Sequence, residues 1–394
     1  MSKRSSSTGP ARIRHLNRRA VLSHIRFEGA CSRSALGNAL SLSAAAVSSV
    51  VNHLLEDGLL VESEHTTRDG RQGRPTLALH LNPNAAYAFG VVLRPSKEVT
   101  DIGMAWVDYT GRETALPDIQ VPQTQDSKAL IQGVIQAVAK LKAAVPFADK
   151  VFGVTLAIPG VVENDSIPMS PKLPCIEGVA FVNTLKNALD YPLSLQNDVN
   201  LAATSELHQQ PRLRELSFAY LYLYSGVGSG FALEGKILNG SGGWAGEIGS
   251  LHINRRDPNT TSFEHLLSTD GSLADLLERL GHPRDALNML AHYIDQRDPD
   301  VLAVVDLYCE HVCDAINIFN SVLDLDEVLI DFRSDKLFKR LRPRLEILLQ
   351  SAPRQPVIST PVMGKEATLN GAALTALNLA LERIEARQKP TDNA

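Results

Sequence analysis

The sequence predicts an α/β protein built from a small helical head with a β-hairpin wing and a larger body. Three observations point to it. Three short amphipathic helix patterns and two strand patterns precede residue 82, and from Ala85 onward strand and helix patterns alternate. The charge balance also changes sign between the two parts. Residues 1–80 hold eleven Lys and Arg against six Asp and Glu, a net +5, whereas the remainder holds twenty-eight against thirty-eight, a net −10. Opposite signs predict a polyanion-binding module joined to one that repels nucleic acid. The expected division is 1–82 and 83–394, in keeping with 394 residues at roughly 150 per domain. Hydrophobic residues at 44% and charged residues at 21% describe an ordinary globular chain with material for a core. No apolar run approaches the ~18 residues of a membrane span, and Met1–Ser7 lacks the apolar stretch of a secretory signal. Four cysteines (Cys31, Cys175, Cys309 and Cys313) are too few for a disulfide framework. Cytoplasm is the expected compartment.

In the head, Ile13, Leu16, Ala20, Val21, Leu22 and Ile25 form one apolar stripe on a helix over Ile13–Phe27, with arginines opposite. Ser32 is placed to cap a second short helix carrying Leu36 and Leu40, and Ser43 a third carrying Val47, Val50, Val51, Leu54 and Leu55. Asp57-Gly58 stops it. Two short helices joined by a tight turn make a helix-turn-helix pattern. Leu59–Glu62 and Thr76–Leu81 read as strands around the arginine-rich loop Thr66–Pro75, which completes a winged helix-turn-helix. The solvent-facing residues of the third helix, Ala44, Ala45, Ser48, Ser49 and Asn52, are those expected to meet base edges in a major groove. Arg71 and Arg74 in the wing are suited to a narrow minor groove, and Arg14, Arg18 and Arg19 to phosphates. The expected partner is double-stranded operator DNA; a trihelical protein-contact module is the weaker reading.

In the body, strands are expected over Tyr87–Leu93, Thr100–Val107, Val151–Ala157, Leu193–Gln196, Phe218–Leu223 and Glu327–Ile330. Helices are expected over Ser127–Ala144, Ala180–Ala188, Asn200–His208, Pro299–Val322 and Ala367–Arg387. No internal repeat is evident by eye. Four stretches carry chemistry: Thr155–Val162, a strand ending in a Pro-Gly turn; Gln196–Ala203, an amide and a carboxylate where strand meets helix; Ser225–Gly230, a glycine-rich hairpin; and Gly242–Gly249, a carboxylate among glycines. Singly each is weak. The dinucleotide spacing is absent, which excludes a Rossmann site, and Asn197-Asp198 alone would usually cap a helix.

Together, in this order, these stretches resemble the ROK family of bacterial sugar kinases and sugar-responsive repressors. The resemblance spans roughly Ala85–Leu381 and includes an Asn370-Gly371-Ala372-Ala373 turn. It implies an actin-like (RNase H-like) two-lobed body, and the head is similar to the winged helix of the repressor branch. It implies that Asn197 and Asp198 bond sugar hydroxyls, the Asp being the general base in kinases, and that Glu247 and Glu264 are sugar-binding glutamates. Carboxylates and amides suit vicinal hydroxyls, because a buried polar group left unpaired costs about 1–3 kcal/mol.

The chain departs from the kinase pattern at two places. Where kinases carry Asp-x-Gly-x-Thr, this sequence reads Gly90–Ser96, with Val92 at the Asp position and Arg94 and Pro95 at the glycines. Valine offers Mg²⁺ no oxygen, and proline no backbone donor to phosphate. The later Gly-Gly pair beside adenosine is replaced within Asp331-Phe332-Arg333. The Gly226–Gly230 hairpin then serves the fold rather than phosphate. The family's structural zinc is also not expected. Ser250 stands for its His, Leu251–Phe263 contains no Cys, His252 lacks thiolate partners, and Cys309 and Cys313 read as core. Trp244 is expected to pack beside the glycines rather than stack on a sugar, and Lys172 to lie near the pocket, where it would favour an acidic or phosphorylated sugar.

These features predict a sugar-responsive transcription regulator, a repressor, without cofactor, metal or enzymatic activity, and assembled as a homodimer or homotetramer on a palindromic operator. The competing readings are a sugar kinase with a DNA-binding appendage, and a regulator controlled by a protein partner.

Overall fold

The computed structural model describes residues 10–65, 76–123, 126–252, 262–269, 271–281, 287–350 and 354–387. The head contains α1 (Pro10–Glu28), α2 (Arg33–Leu40) and α3 (Ala44–Glu56), followed by β1 (Leu60–His65) and β2 (Thr76–Leu81). Ser32 and Ser43 cap α2 and α3 as the sequence predicts, each side-chain oxygen accepting from the backbone N–H three residues on. Ser41 terminates α2 in the left-handed conformation (φ 55°), and the chain bends by 119° between the two helices. β1 and β2 pair antiparallel from Leu60↔Leu81 to His65↔Thr76, and Cys31 adds a bridge to Leu79. The predicted loop Thr66–Pro75, with Arg71 and Arg74, lies outside the described residues.

The stripe on α1 is only half used. Val21, Leu22 and Ile25 enter the head core with Leu36, Val47, Val51, Leu54, Leu60 and Leu79. Ile13 and Leu16 stand 46% and 51% exposed, because their turns extend past the helices that cover the rest. The head core continues into the body through Ala86, Tyr109, Phe152 and Leu381.

The body begins with β3 (Tyr87–Pro95), β4 (Val99–Asp108), β5 (Glu113–Pro122), α4 (Lys128–Ala144), β6 (Val151–Ile158), β7 (Val161–Glu163), β8 (Ser166–Met169), α5 (Ala180–Ala188), β9 (Leu193–Asn197) and α6 (Asp198–Gln209). It continues with β10 (Phe218–Leu223), β11 (Val227–Leu233), β12 (Lys236–Ile237), α7 (Phe263–Leu267), α8 (Ser272–Arg279), α9 (Leu287–Asp295), α10 (Pro299–Leu323), β13 (Glu327–Asp331), α11 (Asp335–Leu349), β14 (Val357–Ser359) and α12 (Ala367–Arg387).

Two five-stranded sheets result, ordered β5-β4-β3-β6-β9 and β12-β11-β10-β13-β14. Within each, an antiparallel three-strand meander is extended by two parallel strands, so both read 3-2-1-4-5. The body therefore holds two sheets of one topology, a duplication in strand order that is not evident by eye in the sequence. Each sheet has its own apolar core, one with α4 and α5 and the other with α8, α10 and α11. This is the doubled, actin-like RNase H arrangement. No single helix is long and apolar enough to cross a membrane.

Helix α6 lies between the lobes. Val199, Ala202 and Ala203 pack on Phe218, Tyr220 and Ala232 of the second lobe, while Leu201 packs on Val92, Ala105 and Ala157 of the first. Glycines make room for it. A Cβ at Gly230 would lie 2.9 Å from the Val199 carbonyl oxygen and one at Gly228 would lie 2.8 Å from Val199 Cγ2. The glycine-rich hairpin is thus a seat for a helix. On the other side, α12 crosses so closely that a Cβ at Gly371 would collide with the Leu201 carbonyl. The predicted Asn370–Ala373 turn is corrected accordingly: these residues lie within α12, and the glycine serves helix contact rather than chain reversal.

Candidate functional site

Strand β9 runs into α6 at Asn197, which takes the cap position (φ −61°, ψ 138°). Its Oδ1 accepts from the Val199 and Asn200 N–H groups at 2.9 and 3.0 Å. Capping thus consumes the amide oxygen and leaves Nδ2, which donates to the Gly160 carbonyl at 3.1 Å and reaches Glu247 Oε1 at 3.5 Å. Asp198, the first helical residue, accepts from the Val199 N–H at 2.9 Å. Glu264 is set by α7, which Ser262 caps; its Oε2 accepts from the Val227 N–H at 2.9 Å. Lys172 donates to the Ser225 carbonyl at 2.5 Å, and its charge favours the ionised forms of Asp198 and Glu264. The four predicted residues are therefore brought together, with Lys172 among them.

Burial dominates the electrostatics. It pushes Asp198 up to about 6, against the opposing pull of the Val199 N–H, Lys172 and Arg333. It pushes Glu247 up to about 7, helped by the charges of Asp198 and Glu264. Glu264 is raised by burial and partly restored by the Val227 N–H and Lys172. With burial favouring the protonated forms of these carboxylates, the cluster combines hydrogen-bond donors and acceptors, as a polyhydroxyl molecule requires.

Asp198 and Lys172 line one end of a cleft of about 990 Å³ between the lobes; Asn197, Glu247 and Glu264 stand beside that end rather than on the cleft wall. Val92, Arg94 and Arg333 line the same cleft. Val92 is buried. Arg94 pairs with Asp118 at 2.9 Å, and it lies so close over Gly103 that a Cβ there would collide with the guanidinium. Arg333 occupies a left-handed position (φ 55°) that favours glycine. Its Nε lies 3.4 Å from Asp331, its guanidinium sits 5.0 Å from the Tyr222 ring centre, and Tyr220 donates to the same Asp331 at 2.7 Å. The residues present do not fit magnesium and a nucleotide triphosphate: Val92 offers the metal no oxygen, and Arg94 and Arg333 stand on the cleft wall where glycines would let a phosphate approach the backbone.

Trp244 lies beside Gly242, where a Cβ would stand 3.4 Å from its Cδ1, but at 47% exposed it is not tightly packed there. At the family's zinc position, Ser250 donates to the Glu247 carbonyl at 2.7 Å, and His252 is exposed. Among the described residues no three His, Cys, Asp or Glu side chains are grouped to hold a metal ion; residues 253–261 lie outside them. Cys309 and Cys313 are buried in the second-lobe core, with both thiols pushed up to about 12 by that burial.

On the head, Ala45, Ser48, Ser49 and Asn52 follow helical spacing along α3, with Ala44 beside them. Ala44, Ala45, Ser49 and Asn52 are exposed and Ser48 is half-buried. Asn52 is held by Arg33, whose Nη1 donates to its Oδ1 at 2.8 Å while Nη2 pairs with Glu62 at 2.9 Å. Arg33, paired with Glu62, thus fixes Asn52 on this face, a contact the sequence reading does not single out; only the packing of α2 on α3 reveals it. Arg18, predicted to meet phosphate, instead pairs with Asp57 at 2.7 Å, whereas Arg14 is exposed.

Comparison with known proteins agrees with this geometry. The chain is 22% identical over 382 residues to a xylose repressor of Staphylococcus xylosus, covering 93% of this chain and 95% of that one. A solved ROK family transcriptional regulator, a homologue of the E. coli MLC protein, superposes with a TM-score of 0.75 at 20% identity, over 95% and 98% of the two chains. A ROK family glucokinase from Streptomyces griseus, solved with glucose and AMPPNP, superposes with a TM-score of 0.59 at 17% identity, over 74% of this chain and all of that one. The model of the ROK family matches residues 99–378, and the chain belongs to the ROK family.

Proposed function

We propose that this protein is a sugar-responsive transcription repressor of carbohydrate metabolism, acting in the cytoplasm as a homodimer or homotetramer. The winged head binds operator DNA through Ala44, Ala45, Ser48, Ser49 and Asn52 on α3 and through Arg71 and Arg74 in the wing. The body binds a sugar or sugar derivative at Asn197, Asp198, Glu247 and Glu264. One observation carries the reading: Asp198 and Lys172 line a cleft beside which Asn197, Glu247 and Glu264 are gathered, while Val92, Arg94 and Arg333 line it where a kinase needs a carboxylate and glycines. Such a cleft grips a polyhydroxyl molecule and has no means of activating a phosphoryl donor. Occupancy is then available to bias a conformational equilibrium, for which a coupling of about 1–3 kcal/mol is typical.

The relatives named as xylose repressors make D-xylose the first ligand to try. The test is calorimetry and thermal shift with D-xylose, D-glucose and N-acetyl-D-glucosamine on wild type and Asp198→Asn, with a parallel assay of ATP consumption. The expected result is a sugar that stabilises wild type, loses affinity in the variant and consumes no ATP. Sugar-dependent ATP turnover would reinstate the kinase reading. A wild type stabilised by no sugar would favour control by a protein partner.

A further inference from the structure

The helix that begins in the polar cluster ends against the DNA-binding head. Asp198 opens α6, and His208 sits in its last turn, about 15 Å further along a helix that rises 1.5 Å per residue. There the His208 ring meets Phe27 of α1 edge-on, with centroids 6.1 Å apart. Arg214 clamps the pair. Its guanidinium lies 3.8 Å from the centre of the Phe27 ring, and its Nη2 donates to the His208 carbonyl at 3.3 Å. Glu28, the last residue of α1, attracts the same guanidinium. One residue before Phe27, Arg26 donates to the Tyr109 carbonyl at 3.1 Å and lies 5.1 Å from that ring's centre. The end of α1 is therefore fixed to the body at two adjacent points.

Between its ends α6 cannot move independently of the lobes. One face is packed on the second-lobe sheet and the other on the first-lobe sheet, and Gly228, Gly230 and Gly371 seat it without slack. A change in lobe angle must carry α6 with it, because packed interfaces are displaced as units, commonly by about 1–2 Å. Helix α12, which crosses α6 at Gly371, sends Leu381 into the head core and so moves against the same surface.

We infer that α6 is the mechanical link between the sugar cluster and the DNA-binding head, and that the Phe27–His208–Arg214 contact is the joint through which sugar occupancy reorients α1. The inference rests on the sugar-responsive reading above and adds its transmission route. Phe27 suits a joint rather than a core position: it is 45% exposed and absent from the head core, so its truncation leaves α2, α3 and the wing intact.

The test uses the full chain and a duplex selected from a random library by the wild-type protein. Sugar affinity, DNA affinity without sugar, and DNA affinity at saturating D-xylose are measured for wild type, Phe27→Ala, Arg214→Ala and the control Phe147→Ala, an exposed aromatic elsewhere on the body. If D-xylose does not bind, the sugar of the panel with the largest thermal shift replaces it. In Phe27→Ala and Arg214→Ala, sugar affinity and sugar-free DNA affinity are expected to stay within about threefold of wild type. The sugar-induced change in DNA affinity, about fivefold or more in wild type, is expected to fall below about twofold in both, while Phe147→Ala keeps it. A wild-type response retained in Phe27→Ala, or lost equally in Phe147→Ala, would overturn the joint while leaving the regulator reading intact. A wild type whose DNA affinity ignores every sugar would overturn that reading and the joint with it.

Discussion

Two parts of the interlobe cleft have the same parentage and opposite chemistry. At one end Asn197, Asp198, Glu247 and Glu264 remain gathered, with burial raising the carboxylates toward neutral pH. Elsewhere along the cleft, Val92 replaces a metal-binding oxygen, Arg94 pairs with Asp118, and Arg333 lies against Asp331 and Tyr222 with its Nη1 buried and without a hydrogen-bond partner. The difference teaches that a binding site and a catalytic site on one fold are separable, since the sugar half depends on α6 and α7 and the phosphate half on the ends of β3 and β13.

That contrast can be broken in order of effect. The largest change is expected from Gly371→Val. Its side chain meets the Leu201 backbone, and overpacking of this kind costs about 1–3 kcal/mol or more; because it unseats α6, calorimetry is expected to show sugar binding and melting temperature falling together. Asp198→Asn is expected to leave the fold intact and lower sugar affinity roughly 10–100-fold, the measure of about 1.5–3 kcal/mol for a hydrogen bond to a charged group. Glu247→Gln separates stability from binding. Folding raises the Glu247 pKa from 4.5 to about 7, so between those values the native state holds more protons than the unfolded chain. The contribution of this group to stability therefore falls as pH rises through that window. Thermal melts of Glu247→Gln from pH 5 to 8 are expected to show a flatter pH dependence than wild type and greater stability at pH 8, with weaker sugar binding. Arg94→Ala should do least. Its ion pair with Asp118 is partly exposed, and such pairs contribute about 0–1 kcal/mol; sugar affinity measured by calorimetry is expected to be unchanged.

The head and the polar cluster were legible in the sequence for physical reasons. Ser32 and Ser43 announce helix starts because their side-chain oxygens accept from free N–H groups of the first turn, and the carboxylates stand in four short stretches whose order carries the family resemblance. Other features lacked a local signal. Strand β5 is an edge strand, mostly exposed and interrupted by Pro117, so it shows no alternation. Helix α11 carries Pro343 within a strongly basic run. Gly371 resembles a turn residue until α6 is seen against it. Arg33 and Phe27 acquire meaning only from partners 19 and 181 positions away, Asn52 and His208. The duplication of the two sheets is written in strand order, which no residue-by-residue comparison of the halves reveals.

Titration of wild type and Asp198→Asn with the sugar panel, followed by Mg²⁺ and ATP in the same calorimeter cell, bears most directly on the proposal that the cleft binds sugar and not nucleotide. Saturable heat from at least one sugar in wild type, its loss in the variant, and no heat from ATP with or without sugar are the expected results. ATP binding accompanied by phosphorylation of the sugar would contradict them.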